Sequence, residues 1–193
     1  GEFLVGKSFA KQTWAEGLDN GGRPIRMPNT LPTPEGTTVA PTAGGATNWW
    51  SPSYSPLTGW LYVNAFDGEG TFFIRDEEYV EGNRYTGGGV QSADDMDNFM
   101  SAIRALDPAT GDLQWEFQMK PRARAGVLAT AGNLVFSATV DGYFFALDAA
   151  TGEELWHVPL GGPVNASPMS FAVDGEQYVT MTIGNKVYTF GLN

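Results

Sequence analysis

Apolar residues in this chain fall in short bursts broken by Gly, Asp, Asn and Pro, a pattern that predicts strands joined by tight turns. The clearest set is residues 126–130, 134–139, 143–147 and 154–158. These four strands are separated by Ala131-Gly132-Asn133, Asp141-Gly142 and Thr151-Gly152. Asp-Gly between apolar runs is a strong hairpin signal, because both residues tolerate the positive φ such turns need. The third set, residues 164–171, 177–183 and 186–192, is punctuated by Asp174-Gly175 and Gly184-Asn185 and lacks a fourth strand.

One stretch occurs twice. Ala105-Leu106-Asp107-Pro108-Ala109-Thr110-Gly111 leads to Trp115, and Ala146-Leu147-Asp148-Ala149-Ala150-Thr151-Gly152 leads to Trp156, 41 positions on. Asp and Thr bond local backbone in the turn, Gly takes a positive φ, and the next strand delivers a Trp large enough to dock between neighbouring sheets. Repeats of about 40–45 residues built from short strands mark propeller blades.

The expected fold class is therefore all-β: a partial β-propeller of about three four-stranded antiparallel blades. Residues 1–46 read as an opening strand and a long loop. In the opening strand, Gly1-Glu2-Phe3-Leu4 superposes on Gly152-Glu153-Glu154-Leu155, and Val5 takes the Trp position. Residues 47–120 form a blade with strands at 47–53, 60–66, 101–106 and 113–119 and an insertion at 67–100; residues 121–160 form the second blade and 161–193 an incomplete third. Three blades do not close a propeller, so the chain is expected to be a fragment, completed by another propeller half or by further copies of itself.

Composition narrows the function classes. With 22 acidic and 11 basic residues the net charge is −11, which repels phosphate backbones and argues against nucleic-acid binding. There is no cysteine, hence no thiol chemistry. No apolar run approaches the roughly 20 residues that span a bilayer, and no signal segment opens the chain. His157 is the only histidine and lacks partners for a metal site or a triad. Asp94, Asp95 and Asp97 lack the Gly and distal Glu of an EF-hand, and Asn165-Ala166-Ser167 is a short, common glycosylation pattern.

Several segments together resemble the C-terminal part of the quinoprotein alcohol dehydrogenases: Gly45-Ala46-Thr47-Asn48-Trp49-Trp50-Ser51-Pro52, Ser101-Ala102-Ile103-Arg104-Ala105-Leu106-Asp107, Gly126-Val127-Leu128-Ala129-Thr130-Ala131-Gly132-Asn133, and Val173-Asp174-Gly175-Glu176-Gln177-Tyr178. The resemblance implies an eight-bladed propeller carrying pyrroloquinoline quinone (PQQ), with calcium or a lanthanide in the full-length family. It implies oxidation of alcohols or related hydroxyl substrates in the periplasm, with electrons passing to a cytochrome or quinone. It implies that Asn48 reaches the quinone, and Trp49 beside it is taken with Asn48 as a cofactor-binding candidate, although by residue type Trp49 and Trp50 also read as packing residues. Arg124 stands where the family usually has a Trp near the cofactor, and its fork suits a quinone carboxylate; a surface loop is the alternative. The last hairpin, Ile183-Gly184-Asn185-Lys186, replaces a Gly-Trp-Gly common in the family. The family's catalytic base and metal ligands match nothing here, so no catalytic or metal residue is assigned and the chain alone is expected to be inactive. The rival reading is a cofactor-free propeller scaffold or binding module.

Overall fold

The computed structural model of the chain describes residues 1–92, 100–120 and 123–191. Asp94, Asp95, Asp97, Leu192 and Asn193 lie outside the described residues. All regular structure among them is β, and no helix is long and apolar enough to cross a membrane.

The first four-stranded antiparallel sheet runs β4 (Ser53–Ser55), β5 (Trp60–Asp67), β8 (Met100–Leu106), β9 (Leu113–Met119). The second runs β10 (Leu128–Ala129), β11 (Leu134–Ala138), β12 (Tyr143–Asp148), β13 (Glu154–Pro159). The third has β14 (Met169–Val173), β15 (Glu176–Ile183) and β16 (Lys186–Gly191). Each sheet follows chain order, as consecutive hairpins require.

Strand β12 of the second sheet is buried on both faces, which explains the nearly continuous apolar run Phe144-Phe145-Ala146-Leu147. Phe145 and Leu147 join Tyr62, Ile103 and Trp115 in a core shared with the first sheet. Phe144 and Ala146 face the other way, into a core with Val164, Met181 and Ile183 of the third. The repeat unit is reproduced in detail. Asp107 Oδ1 accepts the Ala109 N–H and Asp148 Oδ1 the Ala150 N–H, both at 2.8 Å. Gly111 and Gly152 take φ of 74° and 75°, and the ladder bulges at Ala105/Leu106 and again at Ala146/Leu147.

The Trp between the first two sheets docks as the repeat implies. Trp115 is buried against Gly152, and its indole N–H donates to Ala149 O at 3.0 Å. Tyr62 Oη donates to the same carbonyl at 2.9 Å.

The N-terminal expectations need correction. Residues 1–9 form no strand. Lys7, not Val5, occupies the docking place: its side-chain stem lies over Gly111 as Trp115 lies over Gly152, and its ammonium pairs with Asp112. A strand needs a partner for its backbone, and no described strand pairs with these residues. The expected loop at 10–46 carries β1 (Ala15–Leu18) and β2 (Pro24–Arg26), which pair together, and β3 (Thr37–Val39). The expected insertion carries β6 (Gly70–Ile74) and β7 (Gly88–Ser92), which join β3 in a separate sheet ordered β3-β6-β7. Gly88 fits there because a Cβ would collide with the Phe73 carbonyl. The expected inner strands at 47–53, 126–130 and 164–171 shrink to β4, β10 and β14, which leaves irregular backbone at 47–52, 124–127 and 160–168. Those three stretches build the site.

Candidate functional site

Asn48, Trp49 and Arg124, the three residues expected to reach a cofactor, line one cavity of about 340 Å³ together with Thr42, Trp50 and Asn165. All of these but Thr42 come from the three irregular stretches that precede β4, β10 and β14. What holds these stretches together is Gly126. A Cβ there would collide with the Ser167 hydroxyl and sit 3.1 Å from the Ser51 backbone nitrogen. The Val127 N–H donates to Ser51 O at 2.9 Å, the Ala129 N–H to Ser53 Oγ at 2.9 Å, and Ser137 Oγ donates to Gly126 O at 3.0 Å. Below, the fully buried Asn64 donates through Nδ2 to Ala125 O at 3.0 Å. The backbone beneath Arg124 is therefore fixed from three sides.

Asn48 is exposed, and much of its amide is spent locally. Its Nδ2 donates to Gly44 O at 2.8 Å and its Oδ1 accepts the Trp49 N–H at 2.8 Å, so it shapes the turn at Gly44-Gly45. Trp49 departs from its expected packing role: it is 64% exposed, an open indole face at the cavity wall. Trp50 does pack, edge-on to Phe66 at 5.1 Å and tilted against Trp49 at 5.3 Å. Its indole N–H is buried without a hydrogen-bond partner among the described residues, a loss of about 1–3 kcal/mol for an ordinary buried donor. Arg124 is half-buried, and its guanidinium makes no hydrogen bond or ion pair among the described residues.

An unpaired guanidinium in a chain of charge −11, beside open indole faces and amides, suits a flat ligand carrying carboxylates and carbonyls. PQQ is a ligand of that kind, so the donors present fit it. The described residues contain no group of three or more His, Cys, Asp or Glu side chains arranged to hold a metal ion.

Sequence reasoning passed over Thr42 and Asn165. The signal for the second was available: Asn165 precedes Ser167-Pro168 much as Asn48 precedes Ser51-Pro52. A larger cavity of about 480 Å³, between the second and third sheets, is walled by apolar groups such as Leu134, Phe144, Trp156 and Phe190 and lacks charged side chains. His157 lies away from the site on β13, stacked on Tyr143 at 4.7 Å and bonded through Nδ1 to Glu154 Oε1 at 2.7 Å.

Comparison with known proteins bears on the fold and the kinship of the chain. The PQQ_2 family model, described as outer membrane protein assembly factor BamB, matches residues 100–191. A quinoprotein ethanol dehydrogenase of Pseudomonas aeruginosa is 38% identical over 181 residues, covering 89% of this chain and 29% of that protein. The solved quinohemoprotein alcohol dehydrogenase of Comamonas testosteroni superposes with a TM-score of 0.87 at 28% identity, over 99% of this chain and 32% of that one. A quinohemoprotein alcohol dehydrogenase of Pseudomonas putida HK5 gives 0.85 at 31% identity, over 97% and 30%. By sequence and by fold, the chain is a relative of the quinoprotein alcohol dehydrogenases, spanning about 30% of their length.

Proposed function

We propose that these 193 residues form one wall of the cofactor site in a PQQ-dependent dehydrogenase that oxidises alcohols or related hydroxyl substrates in the periplasm. The single observation that carries this is the Arg124 guanidinium, unpaired among the described residues, in the same cavity as Asn48 and Trp49. Bound PQQ would supply the redox chemistry, taking up the hydride lost by the alcohol. The protein's part here is to bind and orient. Arg124 would hold a carboxylate, the Asn48 amide would meet a ring oxygen with its remaining hydrogen-bonding capacity, and Trp49 would cover a ring face. The base, the calcium or lanthanide, and the cytochrome or quinone acceptor are expected from outside this span.

Equilibrium titration of the chain with PQQ, followed by quenching of tryptophan fluorescence, tests the reading. Saturable binding that Arg124→Ala weakens at least about tenfold is expected, the scale of one charge-assisted contact. Binding that does not saturate, or that ignores Arg124, contradicts it.

A second reading has its own support. The BamB-type family match covers residues 100–191 and leaves out Asn48, Trp49 and Trp50, so it speaks for the blades alone. A cofactor-free scaffold would bind a protein through these sheets and show no response to PQQ.

A further inference from the structure

We propose that Asn165 is a ligand-recognition residue whose side-chain amide acts with the Arg124 guanidinium on one carboxylate or carbonyl group of the ligand. This deepens the quinone-binding reading and rests on it.

The argument begins with equivalence. Ser51, Gly126 and Ser167 each stand two residues before an inner strand, β4, β10 and β14 respectively, and all three meet around Gly126. Asn48, Arg124 and Asn165 lie two or three residues further upstream. Three consecutive sheets thus deliver one polar side chain each to the same cavity. The third sheet's contribution is Asn165.

The loop that carries it is held rather than loose. Val164 is fully buried, and its N–H donates to Val140 O at 3.1 Å. The Gly162 N–H donates to Asp141 O at 3.1 Å, and Pro163 O accepts the Gly184 N–H at 2.8 Å. Pro168 is buried on the other side. Between these anchors Asn165 is exposed, and its amide makes no hydrogen bond to any described residue.

The contrast with Asn48 decides the roles. Asn48 uses both ends of its amide to hold the Gly44–Trp49 turn, whereas the Asn165 amide keeps two donors and an acceptor uncommitted on fixed backbone. Pre-set backbone lowers the ordering cost of binding. A neutral amide beside a guanidinium adds a directed donor without adding charge, which favours an oxygen-rich anion over a simple hydrophobe.

The test is a titration of the 193-residue chain with PQQ, followed by side-chain amide and guanidinium NMR signals. The Asn165 NH₂ and Arg124 Nε–H resonances are expected to move along one saturation curve while the Asn29 amide, which lines a separate cavity, stays still. Asn165→Ala should weaken PQQ binding about tenfold, and Asn165→Asp at least as much, since a carboxylate there repels the ligand. Neither should shift the melting temperature of the ligand-free chain. The wild-type shifts need no variant to fold. If wild type binds PQQ but the Asn165 amide stays still, or Asn165→Ala binds equally well, the role of Asn165 falls and the quinone reading stands. If wild type does not bind, both fall.

Discussion

Arg104 is the most heavily committed side chain in the first sheet. Its Nε donates to Glu116 Oε2 at 2.6 Å, one Nη to Phe9 O at 2.6 Å, and the other to Asp67. Asp67 also accepts the Lys11 N–H at 2.6 Å. The group clamps residues 9–11, which have no strand of their own, onto β5, β8 and β9. Burial alone would push the Asp67 carboxyl up; bonds from Arg104 and the Lys11 backbone outweigh it, and the net shift is downward. Asp67 is therefore bound less tightly to its proton when folded than when unfolded, so it stabilises the fold above an unfolded value of about 4. That contribution is lost as pH falls through the lower folded value. Asp67→Asn should cost about 2 kcal/mol at pH 7, and the gap from wild type should close below about pH 4 in denaturant titrations. Arg104→Met, which strands two partly buried carboxylates, should cost more, about 3 kcal/mol. A gap independent of pH would refute the assignment. On β12 the Tyr143 hydroxyl is pushed up to about 12 by burial and by the adjacent Glu154 carboxylate. It should therefore show no phenolate absorbance at pH 10.

At the scale of elements, the same residue in two copies of one motif is expected to behave differently. Trp115 is buried and bonded to Ala149, whereas Trp156 is 39% exposed and faces a groove with no docking turn against it among the described residues. Trp115→Phe should cost about 2 kcal/mol and Trp156→Phe less than about 1 kcal/mol, measured by urea denaturation. Equal costs would mean that burial does not explain the motif. Gly152→Ala should also destabilise by at least about 1 kcal/mol, because φ is 75° and the new Cβ would press on Trp115.

These turns were legible in the chain because Asp, Thr and Gly act on backbone only a few residues away. Strand order followed for the same reason. The β3-β6-β7 sheet was not legible: Thr37–Val39 and Gly88–Ser92 are short, Gly- and Thr-rich, and pair across long separations. The place of Lys7 was also missed, because docking depends on which stem reaches Gly111 and not on matching residue type.

At the scale of the whole molecule, three sheets side by side position one site. Asn48, Trp49 and Arg124 were singled out as candidates from flanking motifs; that they share a cavity, and that Asn165 shares it too, emerges only from the turns before the inner strands. Because Gly126 is where those turns meet, Gly126→Ala should push Ser167 or Ser51 aside and reduce PQQ affinity more than it reduces stability. Incubated with PQQ, calcium and ethanol, the chain by itself is expected to give no dye reduction; turnover would show that base and metal lie within this span after all. The most direct test is to soak or co-crystallise the chain with PQQ and locate it. The account predicts density against Trp49, with a carboxylate on Arg124 and an oxygen near Asn165. Density elsewhere on the chain, or none at saturating PQQ, would contradict it.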